Sequence, residues 1–265
     1  MRSSAPMRLC TFLPPGADEP RAGEVRGDDV VTFPGTVLER LETGDRSPAR
    51  GEAFPLQDVT FLAPVPRPPA TFAIGLNYAA HAAEGGREAP EKPVVFLKLP
   101  RSSTPPFAPV QKPAVVEQLD YEGELVIVMG AGGQVAGYAV ANDVSARDLQ
   151  WSEPQWTRAK GADGFCPWGP WITTADEVPD PEDLRLRTWV NGEPRQDTRT
   201  SDLIFGLETL VAFISETCTL EPGAIILTGT PSGVGAFMDP PVFLRSGDTV
   251  RIEIEALGAI EQRIA

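Results

Sequence analysis

Apolar and polar residues alternate along much of this chain, and this pattern is typical of half-buried β-strands. The clearest case is residues 249–256, where Val250, Ile252 and Ile254 share one side and charged residues occupy the other. Residues 184–190 alternate in the same way and run into Asn191-Gly192, a strong signal for a type I′ hairpin turn. Strands are predicted at residues 7–13, 24–27, 29–33, 71–74, 94–99, 119–128, 135–141, 170–173, 184–190, 224–228 and 249–256.

Helical spacing of apolar residues is confined to three segments. Residues 36–42 predict a short amphipathic helix, and residues 202–217 predict a longer one that Ser201 would cap. Residues 77–84 predict an alanine-rich helix that ends at a glycine pair and has little apolar bulk to anchor it. Together, the predicted strands and helices indicate a β-dominated α+β fold.

A proline-rich connector at residues 64–69 suggests a domain boundary. We therefore predict a small N-terminal α+β domain at residues 1–66 and a larger catalytic domain at residues 67–265. Residues 44–57 are polar and are predicted to be loop.

Charge and composition narrow the functional classes. The net charge of −14 argues against nucleic acid and against an anionic membrane surface as partners, whereas a small anionic substrate depends only on local charge. The 3 cysteines are widely spaced and should be thiols. No apolar stretch is long enough for a membrane span, and no signal peptide is apparent, so we expect a cytoplasmic protein.

Two glutamates in the run 119–128 carry the main chemical signal. Glu122 and Glu124 are two apart on a predicted strand, so both should point to one face, and Asp143 ends the next predicted strand. The simple alternative is that the glutamates line a solvated face. However, they lie at the end of an apolar stripe, where free charges are unfavourable. Three converging carboxylates favour a hard divalent cation, Mg²⁺ or Mn²⁺, with Ca²⁺ as a substitute.

The single histidine lies on the weak helix. His81 and Glu84 are three apart, so they share a helix face, and a carboxylate beside an imidazole raises its basicity. The pair could activate water, or it could simply stabilise a short surface helix. Because the segment 78–90 is rich in alanine and glycine, we expect it to act as a mobile lid.

Six motifs in order resemble the fumarylacetoacetate hydrolase superfamily, over roughly residues 71–265. They are GLNYAAH (75–81), LDYEGEL (119–125), GYAVANDVSARDLQ (137–150), KGADGFCPWGPW (160–171), VNGE (190–193) and LTGTPSGVG (227–235). The resemblance implies a mixed β-roll catalytic domain, a small N-terminal domain and a homodimer. Many relatives have Lys-Ser-Phe-Asp where this chain has Lys160-Gly161-Ala162-Asp163, and this difference predicts an altered pocket wall.

The resemblance also assigns roles to individual residues. Glu122, Glu124 and Asp143 match the three metal ligands, and Lys160 matches the lysine beside the metal. His81 and Glu84 match the water-activating pair of hydrolytic members. The implied substrate-binding residues are Tyr78, Arg147, Gln150 and Thr230, although Arg147 could instead form an internal ion pair with Asp148, and Tyr78 could be a core aromatic.

These assignments predict a divalent-metal-dependent enzyme acting on a small anionic 2-oxo or 2,4-dioxo acid. The charges of three carboxylates, a divalent ion and Lys160 cancel, and a metal-bound enolate would make C–C cleavage accessible. Hydrolysis of an acylpyruvate ranks first. Isomerisation, tautomerisation or decarboxylation of hydroxymuconate-type diacids or oxaloacetate is the alternative, and a non-catalytic metal-stabilised binding module is a distant one.

Overall fold

The computed structural model describes residues 7–265 and has a β-dominated α+β architecture, as predicted. The strands are β1 (Arg8–Leu13), β2 (Arg21–Arg26), β3 (Asp29–Thr32), β4 (Ala53–Pro55), β5 (Thr60–Leu62), β6 (Thr71–Gly75), β7 (Val94–Lys98), β8 (Ser103–Thr104), β9 (Leu119–Asp120), β10 (Gly123–Met129), β11 (Val135–Asn142), β12 (Ser145–Ala146), β13 (Cys166–Thr174), β14 (Arg185–Val190), β15 (Glu193–Arg199), β16 (Ile225–Leu227), β17 (Thr249–Ile254) and β18 (Gly258–Arg263). The helices are α1 (Val37–Thr43), α2 (Ala79–Glu84), α3 (Arg147–Ser152), α4 (Thr157–Lys160) and α5 (Leu207–Ser215).

One large mixed sheet organises the molecule. Its strand order is β4-β3-β2-β1-β13-β11-β10-β16-β6-β7, with β5 added at β1 and β8 at β13. A four-stranded antiparallel sheet, β15-β14-β17-β18, covers part of it, and β9 pairs with β12. The predicted domain boundary at residue 66 falls between β5 and β6, but β1 pairs directly with β13, so the sheet continues across it.

Both faces of the central strands β10 and β11 are buried. Leu125 and Ile127 of β10 pack into the larger core with the four-stranded sheet and α5, whereas Val126 and Val128 pack into a second core with α1. Strands buried on both faces hold their ends rigidly, because no face can shift without disturbing a packed core. Glu122, Glu124 and Asp143 lie at one such end.

The chain around residues 119–128 forms two strands instead of the predicted one. β9 ends at Asp120, β10 begins at Gly123, and Glu122 lies in the break. A side chain at Gly123 would clash with Thr188 of β14, so the close approach of the second sheet requires glycine here. The break lets β9 turn away to pair with β12.

The helix predicted at residues 202–217 is wrong in its first five residues. Residues 200–202 form a 3₁₀ turn, Gly206 is the N-cap, and Ser201 caps nothing in the described structure. Leu203 forms a β-bridge with Tyr78, and the side chain of Asn77 bonds both the N–H and the C=O of Phe205. These long-range contacts override the helical spacing of the apolar residues.

Other short elements were assigned incompletely from sequence. The predicted loop 44–57 contains β4, and the strands β5, β8, β12, β15 and β18 were not predicted.

By contrast, the first helix is confirmed: Thr36 and Glu39 form a reciprocal capping box at the start of α1. The Asn191-Gly192 turn is also confirmed, with positive φ at both residues, and all three cysteines are free thiols. No helix among residues 7–265 is both long and apolar enough to cross a membrane.

Asn77 is the buried side chain that ties three segments together, so its loss should destabilise the fold. It is 0% exposed and bonds Phe205 O at 3.1 Å, Phe205 N at 2.8 Å and Thr228 O at 2.8 Å. We expect Asn77→Ala to lower the free energy of unfolding by about 2–4 kcal/mol in urea denaturation, because buried polar groups lose their partners. The exposed Gln111→Ala is the matched control, and equal stability of the two variants would contradict this role.

Candidate active site

Three acidic side chains converge at the end of the central strands. Glu122 precedes β10, Glu124 lies on β10 and Asp143 follows β11; all three are buried, and their nearest carboxylate oxygens lie within 4.8 Å of one another. The antiparallel register pairs Gly123 with Asn142, and this places Asp143 beside Glu122. The N–H of Asp143 donates to the Glu122 carbonyl at 2.8 Å, which fixes the two backbones together.

Two lysines neutralise one side of this acidic cluster. Lys160 Nζ, at the end of α4, lies 2.6 Å from Glu122 Oε2 and 2.8 Å from Asp143 Oδ2. Lys98 of β7 also donates to Asp143 and to the Lys160 carbonyl. The sequence reasoning missed Lys98, although the alternation of β7 places it on the inner side of the strand with Phe96.

Arg147 lies on the opposite side of the cluster. Its Nε donates to Asp120 Oδ2 at 2.9 Å, and one terminal nitrogen bonds Glu122 Oε1 at 2.7 Å and Gln150 Oε1 at 2.9 Å. The other terminal nitrogen is buried and has no partner. The suggested ion pair with Asp148 is wrong, since Asp148 accepts from the Glu117 N–H and the internal partners of Arg147 are Asp120 and Glu122.

The charge count from the sequence was therefore incomplete. The buried charges of this cluster are Asp120, Glu122, Glu124 and Asp143 against Lys98, Arg147 and Lys160. Four negative charges against three positive ones leave one negative charge in excess. That excess lies at Glu124, which accepts a 2.7 Å hydrogen bond from the Gly229 N–H and has no ion pair with any described residue.

The pKa values of the two glutamates diverge for this reason. Burial alone would raise the pKa of Glu122, but Lys160 and Arg147 outweigh burial and lower it to about 2. Burial raises the pKa of Glu124 well above its usual value, and the neighbouring Asp143 and Glu122 raise it further. Glu122 is thus ionised through its cations, whereas ionised Glu124 needs another positive charge.

His81 and Glu84 form the pair that the sequence predicted. His81 Nδ1 lies 2.8 Å from Glu84 Oε1, and the second oxygen of Glu84 accepts from the Gly233 N–H at 3.0 Å. The ring of Phe237 packs 5.7 Å from the imidazole. With Nδ1 directed at the carboxylate, Nε2 is the nitrogen available to act on a substrate. Tyr78, His81 and Ala82 are buried, so α2 is packed in place here, and its movement as a lid stays a prediction.

One pocket joins His81 to the charged cluster. Its lining residues are Ile74, Gly75, Leu76, His81, Gly85, Arg87, Phe96, Glu122, Arg147, Gln150, Trp151, Trp156, Lys160, Thr230 and Phe237. Glu124 and Asp143 are not among these lining residues. Gly161 and Ala162 do not line the pocket either, and the effect of the departure from Lys-Ser-Phe-Asp on the pocket wall stays a prediction.

The remaining predicted binding residues occupy different environments. Gln150 lines the pocket, and its carbonyl accepts from Arg147, which leaves its amide N–H groups for another acceptor. Thr230 also lines the pocket, but its hydroxyl donates to the Gly123 carbonyl and accepts from Gln196. Tyr78 does not line the pocket; it is buried, its hydroxyl has no hydrogen-bond partner among residues 7–265, and its role in substrate binding stays a prediction.

The acidic cluster fits a divalent metal ion. All the converging donors are carboxylate oxygens, the preferred ligands of Mg²⁺ and Mn²⁺. Glu124 supplies an independent argument, because burial and the neighbouring carboxylates raise its pKa and no described residue forms a direct ion pair with it, so a cation there would stabilise its ionised form.

Comparison with known proteins agrees with this fold. The model of the fumarylacetoacetate (FAA) hydrolase C-terminal family matches residues 70–265. The mitochondrial oxaloacetate tautomerase Fahd2a of Rattus norvegicus is 40% identical over 286 residues, covering 97% of this chain and 91% of that protein. The chain therefore belongs to the fumarylacetoacetate hydrolase family and is an enzyme.

Solved structures of similar proteins include enzymes with different names. The 5-carboxymethyl-2-hydroxymuconate delta-isomerase of Mycobacterium smegmatis has a TM-score of 0.83 and 38% identity, covering 98% of this chain and 99% of that one. A fumarylacetoacetate hydrolase from Exiguobacterium antarcticum has a TM-score of 0.87 and 35% identity, covering 97% of this chain and 99% of that one.

Glu124 can be tested by its isosteric amide. Glu124→Gln should lower Mn²⁺ affinity by about 100-fold or more, because a charged ligand is lost. The same variant should leave the metal-free protein at least as stable, since an uncompensated buried charge is removed while the Gly229 N–H keeps an acceptor. Calorimetric titration and metal-free urea denaturation measure the two effects, with Glu216→Gln as a surface control. Unchanged Mn²⁺ affinity would contradict the assignment.

Proposed function

We propose that this enzyme is a divalent-metal-dependent tautomerase of 2-oxo acids, with oxaloacetate as the first candidate substrate. The observation that carries the proposal is that His81, which Glu84 orients, lines the same pocket as Arg147 and Lys160. The name of the rat relative, an oxaloacetate tautomerase, and that of the mycobacterial isomerase support it.

The substrate carboxylate would bind at the charged end of the pocket. Arg147 has one buried nitrogen without a partner, and Gln150 has free amide N–H groups beside it. A carboxylate at this point would satisfy both sets of donors. A divalent ion held by Glu122, Glu124 and Asp143 would supply Lewis acidity toward the oxygens of a 2-oxo acid.

Proton transfer would then fall to His81. Its Nε2 would take a proton from C3 of the 2-oxo acid and return it to the C2 oxygen, giving the enol with no net loss of atoms. Glu84 keeps the ring oriented and stabilises the imidazolium between the two transfers. Lys160 would stabilise the negative charge that develops on the C2 oxygen, because it lines the same pocket and its cationic form is favoured.

Hydrolytic C–C cleavage of an acylpyruvate is the second candidate. The same His81–Glu84 pair could deprotonate a water instead of a carbon acid, and the Exiguobacterium relative is named a hydrolase. Decarboxylation of oxaloacetate would use the same binding groups without a water.

A substrate panel separates these reactions. The metal-loaded enzyme is assayed with oxaloacetate, acetylpyruvate and a hydroxymuconate-type diacid, with detection of the enol absorbance, pyruvate and CO₂. Faster keto–enol exchange of oxaloacetate without CO₂ supports the tautomerase. Pyruvate and acetate from acetylpyruvate would support hydrolysis, CO₂ would support decarboxylation, and no accelerated exchange would refute the proposal.

His81 gives the sharpest mutational prediction. His81→Asn should lower kcat for tautomerisation by about 100- to 10,000-fold, because the proton carrier is lost. Mn²⁺ affinity should be unchanged, since His81 is not among the three carboxylate ligands. Glu88→Gln, on the exposed stretch after α2, is the control. Turnover within twofold of the wild type would remove His81 from the mechanism.

Two further expectations also stand as proposals. We expect a homodimer, to be measured by light scattering of the metal-loaded protein, and a cytoplasmic location, to be measured by fractionation.

A further inference from the structure

Arg87 is a pocket residue that the mechanism above does not use. It lines the same pocket as Arg147 and Lys160, but those two cations are engaged by buried carboxylates. The guanidinium of Arg87 has no ion pair or side-chain hydrogen bond with any residue in the described part of the chain. It is therefore a free positive charge at the edge of the pocket.

The backbone of Arg87 is anchored to the pocket wall. Its N–H donates to the Ala82 carbonyl at 2.9 Å, so the chain folds back onto α2. Gly86 adopts positive φ at this turn, and Gly85 lies so close to Phe237 that an added Cβ would stand 3.0 Å from the ring. Arg87 thus occupies a defined place beside His81.

Apolar side chains make up much of the lining of the pocket that Arg87 shares with Glu122. Phe96, Trp151, Trp156 and Phe237 contribute aromatic surface, and Glu122 is the only acid among the lining residues. An anionic group of the substrate beside Arg87 would therefore meet a cation, and Glu122 is the one lining acid that could oppose it. A 2-oxo acid anchored through its C1 carboxylate would place its far end elsewhere in the same pocket, where Arg87 is the lining cation that no carboxylate engages.

We propose that Arg87 binds the second carboxylate of the substrate and makes the enzyme selective for 2-oxo dicarboxylates over 2-oxo monocarboxylates. This inference rests on the proposed function for the orientation of the substrate. Arg87 is exposed to solvent, so its contribution is that of a screened ion pair and not of a buried one. The expected selectivity is about tenfold in kcat/KM.

Oxaloacetate and its 4-methyl ester form a matched substrate pair, because they share the C1 carboxylate and the C2 ketone and differ in the far charge. Tautomerisation of both is measured with Mn²⁺ for the wild type, Arg87→Gln and Arg87→Lys, with the remote Arg251→Gln as control. Arg87→Gln should lower kcat/KM for oxaloacetate about tenfold, mainly through KM, and leave the ester unchanged. Arg87→Lys should retain most of the activity toward oxaloacetate, and Arg251→Gln should behave like the wild type.

An equal loss for both substrates, or no loss for either, would overturn the role of Arg87. Binding measurements separate this result from a failure of the tautomerase proposal. Neither 3,3-difluorooxaloacetate nor its 4-methyl ester can enolise, so calorimetry reports recognition without turnover. A wild-type preference for the dianion that Arg87→Gln removes supports Arg87 even if no tautomerisation is found. The absence of that preference in the wild type refutes it.

Discussion

The structure of the site depends on a buried charge imbalance. Four carboxylates and three cations are packed at the end of the central sheet, and the negative charge in excess lies at Glu124. A buried carboxylate without a counterion is unfavourable, so the fold presents a position that a divalent ion would stabilise. The flanking cations serve a second purpose, because they keep Glu122 ionised and ready to act as a ligand.

In the proposed mechanism, substrate binding and proton transfer belong to different elements. The charged groups come from the rigid sheet and from α3 and α4, whereas the His81–Glu84 pair comes from α2. In a site divided in this way, the groups that bind a 2-oxo acid can stay the same while the residue that transfers the proton differs between related enzymes. Such a division is consistent with the different names of the similar proteins, and it explains why the fold alone does not select one reaction.

Much of this site could be predicted from sequence, because its signals are local. Glu122 and Glu124 are two residues apart, and His81 and Glu84 are three apart, so the spacing along the chain suggests that each pair comes together. The structure confirms the convergence of the glutamates, although the predicted single strand is two. The contribution of Lys98 was missed, since the sequence separates it from Asp143 by 45 residues and β7 is not a neighbour of β11 in the sheet. Only the tertiary fold brings the end of β7 to the end of β11. The supposed pairing of Arg147 with Asp148 failed for the opposite reason: adjacency along the chain suggested a contact that the buried Asp120 and Glu122 outcompete.

The helix at residues 202–217 shows where local reasoning ends. Its apolar spacing is helical throughout, yet Asn77 and Tyr78 hold residues 203–205 in an extended path. No pattern within the segment reveals a partner that lies more than a hundred residues earlier in the chain. The N-terminal strands are similar in this respect, because their pairing with β13 depends on the whole sheet.

Asn77 also has a consequence beyond stability. It donates to the Thr228 carbonyl, and the Gly229 N–H donates to Glu124, so both hydrogen bonds fall on the same peptide group. Hydrogen bonds in such a chain polarise one another, and the strength of one depends on the other. A cation that neutralises Glu124 would therefore weaken the hydrogen bond from the Gly229 N–H. It would in turn weaken the hydrogen bond that Asn77, two residues before α2, donates to the Thr228 carbonyl. The carboxylate of Glu124 and the helix that carries His81 are thus coupled electrostatically through one peptide group.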